Sequence, residues 1–550
     1  MTAIAVPRAI DLLLINGRIW TGSEVEAADP NEVGALAVRD GTVVAIGTTQ
    51  ELSHLAQHAA RVIDLQGRRV VPGLIDSHIH AVRAGLTWSL SLHFDDIRCL
   101  DEGLALIAAR TEEIANGEWI TVTGGWHSRQ LTEKRLPSRA QLDDVAPDHP
   151  VFVQELYAKA VLNSAGLIAV GWDDDSDDPS GGHLLRDADG HLTGEVEGLG
   201  AFASVLALAL RPTVEQSVEG TRQMLAAFAS HGITMVLDGG GLFMTPDKYA
   251  PLYRLWGEGG LDVRTRLFVS AWTRGDERGD VATLMSFLHP DFGDGLLQVA
   301  GLGEIPHLGC HDMEGFEEFS ISDQAFDEFV DITRRCVAEG WRMTVHAVLD
   351  SSLGRILDAW ELVEHETGAL CTLRFSIVHA DQACERNVER IAALGAGVMV
   401  QNRMNLQATD YVATWGSDAV RAAPPISLMR QHGVIIGGGT DATRANRYAP
   451  WASLAWLVTG ETVDGALSRD TKHLMSVEEA LACFNRHAAW FVGEERRRGR
   501  LVVGFDADLC VPTLDPLSCP PGELASIRSE LTIMGGRVTH ASGIFGDAND

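Results

Sequence analysis

The stretch VVPGLIDSHIH, residues 70–80, places two histidines at the end of an otherwise apolar strand. Because side chains alternate along a strand, the imidazoles of His78 and His80 point to the same side of the sheet. A lone His-x-His pair is a weak signal, since such pairs occur on ordinary surfaces. Here both imidazoles stand where hydrophobic side chains are expected, so the stretch predicts a buried strand that ends in two polar, potentially metal-ligating residues.

Downstream of this stretch, short apolar runs alternate with longer helical segments. The alternation predicts βα units and a parallel sheet, and eight such strands close a barrel. The predicted strands are 73–80, 232–240, 264–272, 297–304, 342–348, 374–380, 397–404 and 434–442. The predicted fold class is therefore α/β, with a (β/α)8 TIM-like barrel at its centre.

Further candidate ligands end other predicted barrel strands. His346, His379 and Asp441 each stand at the carboxyl end of a strand, where (β/α)8 enzymes carry their chemistry. Taken singly, each histidine is typical of an ordinary core or rim position. Together with His78 and His80 they predict four imidazoles and one carboxylate at one mouth, which is a ligand set for Zn²⁺ or a similar divalent ion.

The two ends of the chain have a different pattern from the middle. Short strands joined by tight turns such as Asp40-Gly41 predict one small β-sandwich domain built from residues 1–71 and 498–550. The barrel domain then spans residues 72–497. Too many residues separate the first two barrel strands for a single crossover, which predicts an inserted subdomain at about residues 86–225, over the barrel mouth.

The composition argues against several partners and locations. A formal net charge of −32 repels phosphate backbones and anionic lipid head groups, so neither nucleic acid nor a membrane is an expected partner. The 8 cysteines include no Cys-x-x-Cys pair, which disfavours a disulfide framework or a thiolate zinc site. No apolar run has the length of a membrane helix, and the first residues resemble a strand and turn rather than a signal peptide. The expected location is the cytoplasm.

Several motifs are shared with a known superfamily. The segments VVPGLIDSHIH (70–80), TVHA (344–347), IVHA (377–380) and GGTDA (438–442), with ADLCV and GGRV near the end of the chain, closely resemble the amidohydrolase superfamily. The segments GGWHSRQL (124–131) and PVFVQELYAKAVLNSAGL (150–167) narrow the resemblance to its amidohydrolase-3, YtcJ-like branch, which includes N-substituted formamide deformylases. The resemblance extends from about residue 10 to 540 and implies a metal-dependent hydrolase.

The resemblance also implies a role for each candidate ligand. His78 and His80 match the pair that binds the more buried metal, and His346 and His379 match the ligands of a second metal. Asp441 matches the carboxylate that touches the metal and takes a proton from the nucleophilic water. Asp441 and His379 are therefore the predicted catalytic residues. His379, or else His346, holds the carbonyl oxygen if it is not fully engaged as a ligand.

One ligand that is common in the family is missing. Many members bridge two metals with a carboxylated lysine on the fourth strand, but no lysine stands between Lys248 and Lys472. Glu304 ends that strand, and it either bridges two ions or contacts substrate or a neighbouring group. Lys159 can substitute only if the inserted strand that carries it reaches the metal. The expected cofactor is one or two divalent ions per chain; zinc suits the ligands best, and Mn, Fe and Co also fit.

The predicted reaction is hydrolysis of a non-peptide C–N bond by metal-activated water, in an amide or N-substituted formamide with a largely apolar substituent. The alternatives are a cyclic amide or imine hydrolase or a deaminase on the same site, a metal-dependent decarboxylase or hydratase, and a non-catalytic binding protein. The family expectation is a homodimer that binds a small-molecule substrate. The predicted substrate-binding residues are Trp126, Tyr157, His307, Arg403 and Arg444, with His127, His311 and Asn405 near the same strand ends.

Overall fold

The described strands form four sheets. The computed structural model describes residues 10–23 and 33–549, so residues 1–9, 24–32 and 550 of the predicted terminal β domain lie outside the described residues. In chain order the strands are β1 (Ile10–Ile15), β2 (Arg18–Ile19), β3 (Ala35–Arg39), β4 (Thr42–Gly47), β5 (Ala59–Asp64), β6 (Arg69–Pro72), β7 (Leu74–Ile79), β8 (Ser91–Leu92), β9 (Ile120–Thr123), β10 (Val151–Glu155), β11 (Lys159–Leu162), β12 (His183–Arg186), β13 (Leu192–Glu197), β14 (Ile233–Asp238), β15 (Arg264–Val269), β16 (Leu297–Leu302), β17 (Arg342–Ala347), β18 (Ser376–His379), β19 (Gly397–Gln401), β20 (Ile436–Gly439), β21 (Leu509–Pro512), β22 (Ser529–Met534) and β23 (Arg537–Ala541).

The α-helices lie mainly between the strands of the central sheet. They are α1 (Thr49–Leu52), α2 (Ala81–Thr87), α3 (Leu100–Thr111), α4 (Arg139–Val145), α5 (Ser164–Val170), α6 (Leu199–Ala209), α7 (Val214–Ser230), α8 (Ala250–Gly257), α9 (Glu277–Phe287), α10 (Asp323–Glu339), α11 (Asp350–Thr367), α12 (Glu385–Ala393), α13 (Arg403–Trp415), α14 (Ser417–Ala422), α15 (Ile426–Gln431), α16 (Pro450–Thr459), α17 (Val477–Cys483) and α18 (Arg486–Trp490). None of the described helices is both long and apolar enough to cross a membrane.

The central sheet has eight parallel strands in the order β20-β19-β18-β17-β16-β15-β14-β7. Its two end strands meet, because the Asp441 amide donates to the His78 carbonyl at 2.9 Å and the His80 amide donates to the Ala442 carbonyl at 3.0 Å. All eight strands coincide with the predicted runs, and at least one helix separates each consecutive pair from β14 to β20. The predicted (β/α)8 barrel is confirmed.

The terminal parts of the chain form two further sheets, β4-β3-β1-β5 and β2-β6-β21-β22-β23, the second of which joins strands from both ends. Leu14, Leu36, Leu509 and Ile533 belong to one buried apolar cluster between them. The Asp40-Gly41 turn has positive φ at both residues, 48° and 72°, as a two-residue hairpin between twisted strands requires. The exact domain boundaries, 1–71 with 498–550 and 72–497, stay a prediction.

Between β7 and β14 the chain forms a six-stranded sheet in the order β12-β13-β11-β10-β9-β8. This insert contacts the barrel through its Gly124-Gly125 pair, since the Gly125 amide donates to the Arg444 carbonyl at 3.2 Å. A Cβ on Gly124 would lie 2.4 Å from the same carbonyl oxygen, so only glycine allows this approach. The contact places the insert beside the loop that follows β20, and the limits of about 86–225 for a separate subdomain stay a prediction.

Strand β20 is nearly all glycine because it packs tightly against β7. A Cβ on Gly439 would lie 2.8 Å from both the amide nitrogen and the carbonyl oxygen of His78. We expect Gly439→Ala to lower the free energy of unfolding by about 1–3 kcal/mol, because backbone has to move. Urea unfolding measures this. Gly257→Ala, whose Cβ meets nothing within 4 Å, is the matched control. Equal stability of both variants would contradict the close packing.

Candidate metal centre

All six predicted ligands lie at the carboxyl ends of five barrel strands, and all six are buried. His78 and His80 come from the end of β7, and Glu304 and Asp441 stand two residues beyond β16 and β20. The remaining two imidazoles lie within β17 and at the end of β18. The members of the cluster are His78, His80, Glu304, His346, His379 and Asp441.

The two carboxylates lie between the first pair of imidazoles. His78 Nε2 is 3.2 Å from Glu304 Oε2 and 3.6 Å from Asp441 Oδ1. His80 Nε2 is 3.1 Å from Asp441 Oδ1 and 3.4 Å from Glu304 Oε1. His80 Nδ1 lies 3.0 Å from the Gly240 carbonyl oxygen, which assigns its proton to Nδ1 and leaves Nε2 directed at the carboxylates.

The other two histidines complete the far side of the cluster. His346 Nε2 donates to the Met313 carbonyl at 2.7 Å and lies 3.0 Å from Asp312 Oδ1, so its Nδ1 is the free nitrogen, 3.7 Å from Glu304 Oε2. His379 Nε2 lies 4.0 Å from Asp441 Oδ2. Glu304 therefore stands between the β7 histidines and the β17 histidine.

Two observations indicate that the residues of the cluster fit a divalent ion. His78 Nε2, Glu304 Oε2 and His379 Nδ1 are buried and form no hydrogen bond within the described part of the chain, because the 3.2 Å contact between the first two lacks hydrogen-bond geometry. Such an arrangement is costly unless a cation holds these atoms. Three overlapping triplets also bring ligand atoms within 4.8 Å of one another: His78 with His80 and Asp441, His78 with Glu304 and His379, and Glu304 with His311 and His346. Imidazole nitrogens with carboxylate oxygens are a zinc-type ligand set, and Glu304 is shared by two triplets.

His311 is a neighbour of the cluster whose role sequence reasoning left open. Its ring stacks on that of His346, with centroids 3.9 Å apart. Its Nδ1 accepts the Met313 amide at 3.1 Å, which leaves Nε2 as its free atom. The loop after β16 brings His311 back over His346. The conformation of this loop is not evident from the sequence, which placed His311 only near a strand end.

The charges of the cluster are unevenly compensated. Burial alone lowers the pKa of His78, but Asp441 and Glu304 outweigh it and raise that pKa to about 10. Burial also lowers the pKa of His346, but Asp312 and Glu304 outweigh it and raise that pKa to about 10. Burial raises the pKa of Glu304 and Asp441, yet the histidines hold both well below the ordinary range. The two carboxylates stay ionised, and a divalent ion would displace the protons of the histidines.

Backbone geometry fixes two of these side chains. His379 and Asp441 have φ of 74° and 58°, a left-handed conformation that is costly outside glycine and that clusters at functional sites. Next to Asp441, the Thr440 hydroxyl donates to Asp76 Oδ2 at 2.6 Å, and the Thr440 amide donates to Asp76 Oδ1 at 3.1 Å. The Asp76 carboxylate thus links β7 to the residue before Asp441.

The cluster forms the base of a cavity of about 250 Å³. One wall is apolar and comes largely from α6 of the insert. The apolar lining residues are Leu199, Phe202, Ala203, Leu206, Leu242, Phe243, Met313 and Ala445. The polar lining outside the cluster includes Tyr157 and Arg444, two of the five predicted substrate-binding residues, and Arg83, which sequence analysis did not single out.

Two other predicted substrate-binding residues lie away from this cavity. Trp126 is fully buried in the insert, and its indole N–H donates to the Gln154 carbonyl at 2.9 Å. His307 Nε2 lies 2.9 Å from Glu328 Oε2. Neither prediction of substrate contact finds support in the geometry, because each side chain is bonded elsewhere.

Arg403 and Lys159 are also engaged outside the cavity. The Arg403 guanidinium donates to the Glu314 carboxylate and, at 2.6 Å, to the Tyr411 hydroxyl. Lys159 Nζ lies 3.2 Å from Glu197 Oε1, and its side chain is 46% exposed. Arg403 therefore neutralises a lining carboxylate instead of lining the cavity, and the alternative of a Lys159 metal ligand is wrong because the side chain faces solvent.

Comparison with known proteins identifies the family of this chain. The sequence pattern of the amidohydrolase family matches residues 61–540. The chain belongs to the amidohydrolase family. As a member of this family, the protein is a hydrolytic enzyme of the class that acts on C–N bonds.

Similar proteins include relatives that match almost end to end. The N-substituted formamide deformylase of Arthrobacter pascens is 27% identical, over 96% of this chain and 97% of its own. YtcJ of Bacillus subtilis (strain 168) is 24% identical, over 95% of this chain and 99% of its own. The crystal structure of an uncharacterized metal-dependent hydrolase from Pyrococcus furiosus covers 92% of this amidohydrolase and 100% of its own chain, with a TM-score of 0.65 and 22% identity.

Proposed function

We propose that this amidohydrolase cleaves an N-substituted formamide or simple amide whose substituent is largely apolar. The observation that carries the proposal is the position of the buried histidine and carboxylate cluster at the base of a cavity with an apolar wall. The full-length similarity to a formamide deformylase supports the same substrate class. For a formamide, the balanced reaction is R–NH–CHO + H₂O → R–NH₃⁺ + HCOO⁻.

The six residues of the cluster are the proposed metal ligands. His78, His80 and Asp441, which form one of the ligand triplets, would hold one divalent ion. Glu304 would help to hold a second ion with His346 and His379, each of which belongs to a triplet that contains Glu304. Zn²⁺ suits this nitrogen and oxygen set, and when bound such an ion supplies a water of lowered pKa and polarises the scissile carbonyl. The bond of His346 Nε2 to the Met313 carbonyl would keep its Nδ1 oriented at the cluster.

Asp441 is the proposed proton carrier. Its carboxylate is ionised and lies 4.0 Å from His379 Nε2 and 3.1 Å from His80 Nε2, at the base of the cavity. It would accept the proton of the attacking water and return it to the departing nitrogen, because an amine leaves poorly unless it is protonated. His379 would then stabilise charge that develops on the carbonyl oxygen.

Product analysis tests the proposal. Purified protein should convert N-benzylformamide to benzylamine and formate in equal amounts, and a chelator should abolish the turnover until Zn²⁺ is restored. Ring opening of a cyclic amide without turnover of formamides or simple amides would favour the cyclic amide alternative instead. Carbon dioxide as a product would favour decarboxylation.

Metal removal should also lower thermal stability. A ligand that binds only the folded state stabilises it by about 4 kcal/mol when its concentration is about 1,000-fold above Kd. We therefore expect the thermal midpoint of the chelated protein to fall and to recover with Zn²⁺. Calorimetry measures both states. An unchanged midpoint would contradict a tightly held ion in the buried cluster.

We also propose a cytoplasmic homodimer. The exposed free thiols of Cys371 and Cys384 suit a reducing compartment, and the dimer is a family expectation. Sedimentation velocity distinguishes a dimer from a monomer.

A further inference from the structure

We propose that Arg83, Tyr157 and Arg444 form an anion-binding subsite that holds a carboxylate of the substrate beside the scissile amide. The inference rests on the proposed amide hydrolysis and narrows its substrate class to amides that carry both an apolar and an anionic group. All three side chains line the same cavity as the metal cluster.

The guanidinium groups of Arg83 and Arg444 are half-buried, and in the part of the chain that the structure describes neither has the carboxylate partner that such groups ordinarily have. Arg83 Nη2 donates to the Tyr157 hydroxyl at 3.1 Å, and the Arg444 side chain has no hydrogen-bond partner among the described residues. Within the described ranges, neither forms an ion pair with a carboxylate. Asp441 and Glu304 act on Arg83 only at longer range, and the metal cluster already uses their charge.

Two buried arginines of this protein, Arg264 and Arg266, each have a carboxylate partner. Arg264 lies 3.0 Å from Asp508, and Arg266 lies 3.0 Å from Glu494. Burial, together with the neighbouring Arg83, lowers the pKa of Arg444 to about 10, which is the direction expected of a guanidinium without a counter-charge. An unpaired charge in such a place is costly, and an anionic ligand would remove the cost.

The donors suit a carboxylate. The Tyr157 hydroxyl accepts from Arg83 and retains its own proton for donation, and the planar forks of two guanidinium groups match the geometry of carboxylate oxygens. Glu314 also lines the cavity, but the Arg403 guanidinium already binds its carboxylate. The part of the lining formed by Arg83 and Arg444 therefore offers positive charge to a ligand.

The subsite lies next to the reacting centre. A Cβ on Gly241 would be 3.2 Å from His80 Nδ1 and 3.9 Å from Arg83 Nη1, so the guanidinium and the imidazole both approach the same side of Gly241. The helix α2 that carries Arg83 is held by Asp238, whose Oδ2 accepts the Val82 amide at 2.7 Å. The anionic group of the substrate would thus lie close to its amide, while the α6 wall contacts the apolar group, as in an N-formyl derivative of an apolar amino acid.

Direct binding to the metal-loaded protein is the first test. Calorimetric titration should show that 3-phenylpropanoate binds more tightly than 3-phenylpropan-1-ol. Arg444→Gln should weaken binding of the carboxylate alone by about 10- to 100-fold, which is the range for hydrogen bonds to charged groups. The matched control is Lys159→Gln, which removes a solvent-facing positive charge on the insert, away from the cavity, and should bind as wild type does. Equal binding of the carboxylate by wild type and Arg444→Gln would overturn the subsite, because the carboxylate would then be held by something else.

Kinetics separate this inference from the proposed function. Wild type should hydrolyse racemic N-formylphenylalanine with a kcat/KM about 10- to 100-fold above that for N-(2-phenylethyl)formamide, and Arg444→Gln should bring the ratio near one. Equal turnover of both by wild type overturns the subsite and leaves amide hydrolysis intact. Turnover of neither, with binding still dependent on Arg444, overturns the formamide substrate and supports the subsite. The thermal midpoint of Arg444→Gln should be no lower than that of wild type, because the side chain has no bond to lose.

Discussion

Replacement of Asp441 by asparagine is expected to lower kcat by about 10²- to 10⁴-fold, the usual contribution of a positioned general acid or base. The amide keeps the size of the carboxylate and one oxygen that can ligate an ion, but it cannot take up a proton from water. The expected loss falls on kcat rather than KM, because Asp441 lies at the base of the cavity and the apolar wall is unchanged.

Metal analysis alongside the kinetics makes the Asp441→Asn result specific. If the variant retains its metal and loses kcat, the carboxylate acts on protons. If it loses metal as well, the aspartate acts chiefly as a ligand, and added Zn²⁺ should restore part of the rate. Glu197→Gln, which removes a half-exposed carboxylate at the Lys159 pair, is the control and should retain wild-type kcat. Retention of kcat within tenfold in Asp441→Asn would contradict the proposed proton carrier.

The barrel and the cluster were predictable because strand periodicity and strand ends are local features of sequence. A polar residue that ends a buried strand of the barrel, such as His346 or His379, is expected to lie at the mouth of the barrel. Eight such runs in order also fix the neighbours of each strand. For this reason the predicted ligands, which come from segments as distant as residues 78 and 441, lie together in the structure.

The lining of the cavity was less predictable because it depends on how the insert docks. Nothing local marks Leu199 or Phe202 as cavity residues, since an apolar helix face is equally typical of a core. The residue types of Trp126 and His307 suggested substrate contact. In the structure, however, the Trp126 indole bonds to the Gln154 carbonyl and the His307 imidazole bonds to Glu328. Arg83 had one available signal, since it stands one turn of helix beyond the His80 ligand position. The absence of a counter-charge around Arg444 is visible only in three dimensions.

Replacement of Glu304 by alanine is expected to reduce the metal content from two ions per chain to one or none. Glu304 belongs to two of the three ligand triplets, and its Oε1 and Oε2 face different histidines, His80 at 3.4 Å and His78 at 3.2 Å. Loss of this carboxylate leaves His78, His80 and Asp441 as a complete set for a single ion. The second ion, left with imidazoles alone, would lose its charged ligand.

Elemental analysis of the purified variants measures this directly, with His346→Ala as the companion that removes only the far side of the cluster. Two ions in wild type and one in both variants would indicate a glutamate-bridged pair, and kcat should fall in both. One ion in wild type, retained in Glu304→Ala, would contradict the bridge and make Glu304 a substrate contact. In that case the buried Glu304 Oε2, which accepts no hydrogen bond from the described residues, would be the acceptor for a substrate N–H, and cyclic amides and deaminase substrates would be tested before formamides.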